Sequence, residues 1–255
     1  LKNHAPFPAP DALRAQVAVG NIALEGDMAA ESPGSRHIMA ELLRDDPAPI
    51  WLLAWGGPNT IARALKSIAE QHPDRVAEVS RKARIYLISE QDGTYRDYIA
   101  PNWPELTTLI CSASTYGALG YRWDQALPES LHGYFSAAWQ RDNLLQGHGP
   151  LAAKYAVRKD GAFRSEGDSP SFMYLIATGI GDPEVPEYGG WGGRFARRGN
   201  IWYSTEEQGA FKSTLVPWVA AFQNDFAARA DWCVLPRTQA NHAPVLTVEG
   251  PLHRE

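Results

Sequence analysis

The 255-residue sequence has only two cysteines, Cys111 and Cys233. Two thiols are too few for a disulfide framework or a four-thiolate zinc site. Both lie among apolar residues, which predicts buried free thiols. The seven histidines show no metal-ligand spacing such as H-E-x-x-H. A G-x-S-x-G elbow, a Walker loop and a dinucleotide G-x-G-x-x-G motif are also missing, so the sequence gives no support to those classes of enzyme.

Clustered positive charge and long apolar runs are missing as well. Lys and Arg number 24 against 29 Asp and Glu, which gives a formal net charge of −5. Without a basic face to neutralise phosphates, we expect no nucleic-acid partner. The most nearly apolar stretch, residues 50–62, is interrupted by a Gly-Gly-Pro turn, so we expect no membrane-spanning helix.

The composition is that of a globular protein, with 44% hydrophobic and 21% charged residues. The length suits one large domain or two small ones, and it is sufficient for a packed core. The nine tryptophans fit either an aromatic core or stacking against sugar rings. The chain opens at Leu1 rather than Met, so we expect its true N-terminus and any targeting segment to lie upstream.

Apolar patterning predicts an α/β fold. A continuous apolar strand over residues 50–54 is followed by a tight turn and an amphipathic helix to about residue 71. Residues 84–89 and 106–112 are further apolar strands, and this strand–helix–strand order predicts a parallel βαβ unit. Further helices are predicted over residues 10–20, 34–43, 133–145 and 215–231, a strand over 232–235, and loops with short elements over 147–212.

Two loops occupy the edge of the predicted sheet where ligands bind in parallel α/β folds, beyond the carboxyl ends of the strands. They comprise residues 55–60, after the first strand, and residues 89–93, after the second. Their glycines allow the backbone to approach a ligand closely. The alternative is that the Gly-Gly-Pro turn is only a connection, since such turns are common in proteins without a ligand.

Two acidic segments are candidate sites. Glu166 and Asp168 flank a glycine that allows both carboxylates to point at one place. The alternative is a capped turn, in which Asp168 or Ser169 caps a helix that begins at Pro170. Asp225 lies on the last long helix, beside its apolar face. Here the alternative is an i,i+4 ion pair with Arg229.

Six sequence blocks, taken in order, carry a resemblance to a known family. Together they resemble the bacterial nucleoside-hydrolase-like domain of proteins often labelled cellulose-binding, and the match spans nearly the whole chain. The blocks are residues 55–65, 85–92, 148–151, 166–172, 188–194 and 222–229.

The resemblance implies a mostly parallel sheet flanked by helices and a relation to the calcium-dependent nucleoside N-ribohydrolases. In those enzymes an aspartate-rich D-x-D-x-x-x-D-D motif binds Ca²⁺ and a water. The metal lowers the pKa of that water, and the resulting hydroxide attacks the anomeric carbon of the sugar. This motif is absent from the 255 residues, and we expect these main calcium ligands upstream of the chain.

The resemblance assigns roles to five residues. Asp225 matches the metal-ligating aspartate, and Asn59 matches the turn whose backbone carbonyl reaches the metal. Asn224 stands where the family has the catalytic histidine that contacts the leaving group. Glu166 and Asp168 match a Glu-x-Asn segment that holds the sugar hydroxyls. Because an amide cannot donate a proton at neutral pH, Asn224 points to an O-glycoside or an activated riboside as the substrate.

Three functional hypotheses follow. The first is a hydrolase that cleaves the glycosidic bond of a riboside or another glycoside through a calcium-bound water. The second is a non-catalytic module for cellulose or another plant polysaccharide, in which Trp191 stacks on sugar rings and Arg194 bonds to hydroxyls. The third is that the chain by itself is inactive, because its metal site is incomplete.

The expected organisation is a nucleoside-hydrolase-like α/β domain over residues 1–236 that is incomplete at its N-terminus. Residues 237–255 are then a linker and the start of a C-terminal β domain that the chain does not contain. The expected partner is a sugar or glycoside, and a homo-oligomer is left open. A periplasmic or secreted location is implied by the family alone.

Overall fold

The computed structural model describes residues 7–120, 122–155, 157–159, 163, 165–179 and 181–242. The described residues divide into two compact units. The larger unit comprises residues 8–135 and 164–220, and the smaller unit contains residues 136–163 and 221–242. The predicted boundary at residue 236 stays a prediction, and residues 243–255 of the predicted C-terminal segment lie outside the described residues.

The larger unit contains a five-stranded sheet with the strand order β1-β2-β3-β5-β4. β1, β2, β3 and β5 run parallel, and β4 pairs with β5 in the antiparallel sense. This confirms the predicted α/β class. The strands are β1 (Ile50–Ala54), β2 (Ala83–Ile88), β3 (Thr107–Cys111), β4 (Phe195–Arg198) and β5 (Ile201–Ser204).

The helices are α1 (Pro10–Arg14), α2 (Pro33–Leu42), α3 (Asn59–Gln71), α4 (Val76–Lys82), α5 (Ala100–Asn102), α6 (Ala113–Gly120), α7 (Trp123–Ala126), α8 (Ala137–Gln140), α9 (Gly149–Ala152), α10 (Ser169–Met173) and α11 (Val219–Asp231). Three helices, α2, α3 and α11, have ten or more residues, and the other helices are shorter. In the described part of the chain, none of them combines the length and the apolar character that a bilayer crossing demands.

Each face of the sheet buries its own apolar cluster, as expected for parallel strands. On one face, α2 and α3 cover Ile85 and Leu87 of β2. On the other face, the ring of Tyr86 lies 5.7 Å from that of Tyr174 and 5.6 Å from that of Phe195. The Tyr86 hydroxyl donates to the carbonyl of Gly192 at 2.7 Å, so the segment before β4 is attached to β2.

Two sequence predictions in the smaller unit and at its boundary are wrong. The predicted helix 133–145 is divided, because the Ser136 hydroxyl accepts from Trp139 N–H and begins a separate helix there. The predicted strand 232–235 is a turn, since the N–H groups of Cys233 and Val234 bond back to carbonyls at the end of α11. Both cysteines are free, Cys111 buried and Cys233 half-buried.

The turn after β1 is held against a buried carboxylate. Asp92 is only 7% exposed, and its Oδ1 accepts from both the N–H and the hydroxyl of Thr94. A Cβ at residue 57 would overlap Asp92 Oδ2, whereas a Cβ at residue 56 would meet nothing. Neither glycine has a positive φ, so the difference between them is purely one of space.

We therefore predict that Gly57→Ala lowers the free energy of unfolding by about 2 kcal/mol, the range for inserting a methyl group into a packed site. Gly56→Ala is the matched control and is expected to be nearly neutral. Urea denaturation followed by circular dichroism measures both. Equal midpoints for the two variants would contradict the packing argument.

Candidate functional site

A cavity of about 260 Å³ opens at the carboxyl ends of the parallel strands. We call it the strand-end cavity. Three consecutive strands contribute to it, because its lining residues include the last residue of β2 and residues that follow β1, β2 and β3. This is the edge at which parallel α/β sheets bind ligands. The lining residues are Trp55, Ile88, Ser89, Gln91, Tyr116, Gly167 and Asp168.

Trp55 is exposed yet fixed in place. It follows the last residue of β1, and the residue is 55% exposed. Its indole N–H donates to the buried hydroxyl of Ser171 at 2.7 Å. That hydroxyl in turn donates to the backbone carbonyl of Asp168 at 2.8 Å. A large apolar ring is therefore held at the cavity by two hydrogen bonds in series.

Asp168 places a carboxylate in the same cavity. It occupies the position before α10, but its side chain makes no capping hydrogen bond. Among the described residues the carboxylate has no hydrogen-bond partner, so the capped-turn alternative does not account for it. Partial burial raises its pKa above the ordinary aspartate value, because desolvation disfavours the charged form.

The end of β2 turns sharply at the cavity. Ser89 has a φ of 62°, a left-handed conformation that is uncommon for a residue other than glycine. Its N–H donates to the carbonyl of Cys111 at 3.0 Å, and the Gln91 side chain donates back to Ile88 O at 2.9 Å. Backbone strain of this kind often occurs at ligand sites.

Glu166 and Asn59 do not line this cavity. Glu166 is exposed. Asn59 is buried at the start of α3, where its side-chain amide donates to the carbonyls of Asn21 and Asp27, each at 2.8 Å. Helical geometry directs its own backbone carbonyl to the N–H group four residues on. Asn59 thus holds the segment before α2, and its predicted contact with a metal stays a prediction.

Trp191 and Arg194 lie elsewhere in the larger unit. Trp191 is half-buried beside a cavity of about 10 Å³, which has room for about one water. The guanidinium of Arg194 donates to Glu207 at 2.8 Å and to the Thr205 hydroxyl at 3.3 Å. Their predicted roles in sugar binding stay predictions.

Asn224 and Asp225 belong to the smaller unit, on α11. Asn224 is exposed. Asp225 Oδ2 accepts from Arg229 Nε at 2.5 Å, which is the i,i+4 ion pair considered as the alternative for this residue. The Arg229 guanidinium also lies 4.8 Å from the ring centre of Trp232. The ligand role of Asp225 and the catalytic role of Asn224 stay predictions.

The described residues do not fit a calcium ion by themselves. Within these ranges no three histidines, cysteines or carboxylates come together in a way that could hold a metal. Calcium needs six to eight oxygen ligands. Of the two predicted ligands, Asn59 uses its amide in structural hydrogen bonds and Asp225 is paired with Arg229.

Of the side chains that line the cavity, Asp168 was singled out as a site residue from the sequence. Both loops, residues 55–60 and 89–93, were predicted to border the site. Trp55 itself was not singled out, although its position directly after an apolar strand was a usable signal. Tyr116 carried no such signal, because it lies within a helix whose residues show no marked pattern.

Comparisons with known proteins agree with this architecture. The family model described as "Cellulose-binding Sde182, nucleoside hydrolase-like domain" matches residues 1–195. A solved structure of a nucleoside hydrolase-related hypothetical protein from Saccharophagus degradans, described as associated with carbohydrate metabolism, is similar with a TM-score of 0.72 and 29% identity. The similarity covers 94% of this chain and 58% of that one, so the chain spans less than two thirds of its length. A search of curated proteins gives no match.

The family match extends over more than half of the chain and includes the strand-end cavity. The similar solved structure has the same fold, and its 29% sequence identity supports a relationship beyond the fold alone. The chain therefore belongs to the family of nucleoside hydrolase-like domains of cellulose-binding Sde182.

Proposed function

We propose that the strand-end cavity binds a carbohydrate. The observation that carries the proposal is the exposed Trp55 ring, held beside the carboxylate of Asp168, which has no hydrogen-bond partner among the described residues. A sugar ring has an apolar C–H face and a rim of hydroxyl groups. An indole face packs against the C–H face of the sugar. A carboxylate accepts hydrogen bonds from its hydroxyl groups, and these bonds are stronger than hydrogen bonds between two neutral groups.

The other lining residues suit the same ligand. Ser89 and Tyr116 carry hydroxyl groups, and Gln91 carries an amide, so the cavity offers both donors and acceptors. A volume of about 260 Å³ is below the ~300–1,000 Å³ typical of pockets for drug-sized ligands. This size favours one or two sugar rings rather than a large cofactor.

The comparisons support the choice of polymer class. The family is described as cellulose-binding, and the similar solved structure comes from a protein associated with carbohydrate metabolism. We therefore take a glucose-based plant polysaccharide as the ligand of this domain. Such a polymer is met outside the cytoplasm, which agrees with the predicted export of the protein but does not test it.

Glycosidic-bond hydrolysis is the finer function that the family resemblance implies. Most glycosidases place two carboxyl groups on opposite sides of the scissile bond. Among the described residues, Asp168 is the one carboxylate that lines the cavity. The described residues also do not fit calcium, so no chemical step through the metal follows from them. Hydrolysis through a calcium-bound water thus stays a prediction that depends on the aspartates expected upstream.

Removing the indole tests the proposal directly. We predict that Trp55→Ala weakens binding of cellotetraose about 10-fold or more, because loss of a stacked, desolvated aromatic ring costs at least about 1.4 kcal/mol. Trp55→Phe keeps an aromatic ring but loses the hydrogen bond to Ser171. Its affinity is therefore expected to lie between those of the wild type and Trp55→Ala. Isothermal titration calorimetry measures all three proteins.

Trp191→Ala belongs in the same experiment, because Trp191 is the stacking residue that the sequence alone suggested. We expect this variant to bind cellotetraose with the same affinity as the wild type. A loss of affinity in Trp191→Ala together with normal binding in Trp55→Ala would move the site away from the strand-end cavity.

The carboxylate gives a second prediction, on pH. The ionised form of Asp168 accepts hydrogen bonds from hydroxyls, so cellotetraose affinity is expected to fall as the pH drops through its pKa. Because burial raises that pKa, the loss begins at a higher pH than for an ordinary aspartate. Asp168→Asn should bind more weakly at pH 7 and lose this pH dependence. Asp124→Asn, an exposed aspartate, is the control.

The same variant has an expected effect on stability. A carboxyl group whose pKa is raised on folding binds its proton more tightly in the folded protein. Its contribution to stability therefore falls as the pH rises from its unfolded to its folded pKa. Asp168→Asn is thus expected to unfold at no lower urea concentration than the wild type at pH 7. A destabilised variant would indicate a structural role for this carboxylate.

A further inference from the structure

A second cavity, of about 180 Å³, lies at the opposite ends of the strands in the larger unit. We call it the amino-end cavity. Thr107 is the first residue of β3, Trp202 is the second residue of β5, and Arg197 lies across from Trp202 on β4. Because β3 and β5 are parallel, this cavity is at the edge of the sheet opposite to the strand-end cavity. Its polar and aromatic lining residues are Glu105, Thr107, Glu184, Arg197, Asn200 and Trp202.

Several polar groups that line this cavity are unused. Within the part of the chain that the structure describes, the Glu105 carboxylate, the Thr107 hydroxyl and the Trp202 indole N–H have no hydrogen-bond partner. Asn200 donates its amide to Pro104 O at 2.7 Å, which leaves its side-chain oxygen available. Unlike a structural polar network, this set has donors and acceptors to offer a ligand.

The charged side chain of Arg197 is already positioned. The Arg197 Nε–H donates to Gly199 O at 2.9 Å, and its guanidinium carbon lies 5.8 Å from the centre of the Trp202 ring. Both terminal nitrogens of Arg197 remain free in the described part of the chain. Such a side chain loses little conformational entropy when it binds a ligand.

The charges of the cavity balance. Glu184 is neutralised by Arg84, whose Nη2 lies 2.8 Å from its Oε2. Glu105 and Arg197 supply one negative and one positive charge. A free anion would meet the two glutamates, and a bare cation would meet the two arginines. The arrangement therefore favours a neutral ligand with many hydroxyl groups over a phosphate or a metal ion.

We propose that the amino-end cavity is a second carbohydrate subsite, which takes one ring of a neutral sugar. Trp202 supplies the apolar wall, Arg197 donates to ring or hydroxyl oxygens, and Glu105 accepts from hydroxyls. This subsite does not depend on the strand-end cavity, since the two share no lining residue.

The consequence is a domain that binds sugar at two edges of one sheet. The two subsites open at opposite ends of the parallel strands, which rise about 3.3 Å per residue. On an insoluble polysaccharide, two linked sites raise the overall affinity well above that of either one. On a short soluble oligosaccharide, each site acts alone.

The test uses the indole N–H signals of the ¹⁵N-labelled full chain in a cellotetraose titration by NMR. The signals of Trp55 and Trp202 report the two cavities separately, and Trp55→Phe and Trp202→Phe assign them. We expect both signals to shift. Arg197→Ala, alone or with Glu105→Gln, should reduce the affinity reported by Trp202 about 10-fold and leave that reported by Trp55 unchanged.

Arg198→Ala is the matched control. Arg198 is the next residue on the same strand, is also exposed, and lies over Tyr203 at 5.4 Å rather than over Trp202. It should leave both signals as in the wild type. Equal thermal midpoints of the two arginine variants exclude a general loss of structure as the cause of any difference.

Three outcomes decide the matter. If the Trp202 signal does not move at millimolar cellotetraose while the Trp55 signal does, the second subsite is wrong and the proposed function stands. If only the Trp202 signal moves, and Arg197→Ala abolishes that movement, the second subsite is supported and the strand-end proposal fails. If neither moves, both are overturned.

Discussion

One buried residue, Tyr86, joins β2 to the segments that build the site. Its hydroxyl must be hydrogen-bonded, since an unpaired buried polar group costs about 1–3 kcal/mol. It donates to Gly192 O, and its ring packs against Tyr174, which directly follows α10. The same short helix carries Ser171, the partner of Trp55. The orientation of the exposed indole thus depends on a contact in the core.

The sequence was sufficient to predict three of the four parallel strands, β1, β2 and β3, but not β5 or the antiparallel β4 at the far edge of the sheet. β1, β2 and β3 are continuous apolar runs because both of their faces are buried, and such runs are easily recognised. β4 was missed because three of its four residues are exposed and it carries two arginines. The strand predicted over 232–235 failed for the opposite reason. Its residues are apolar, yet their N–H groups bond back to the end of α11.

The site was predictable as a location, but less so as a set of side chains. Parallel strands bring their carboxyl ends together, and this placed the loops 55–60 and 89–93 at the ligand edge. Asp168 was a candidate from its sequence context and from the family resemblance, and it does line the cavity. Trp55 was not singled out, because the packing around an indole decides whether it is exposed, and the sequence does not show that packing. Arg197 and Trp202 could not be predicted as a pair from the sequence, because only the pairing of β4 with β5 brings them together.

The contact between Gly57 and Asp92 limits how the sequences of relatives can vary. The carboxylate occupies the space where a side chain at position 57 would begin, and Asp92 is fixed in turn by Thr94. Substitutions at the two positions should therefore be correlated among homologues. A relative that carries any residue larger than glycine at position 57 should have a smaller side chain at position 92. A mutational path from one pair to the other is then expected to pass through the change at position 92 first.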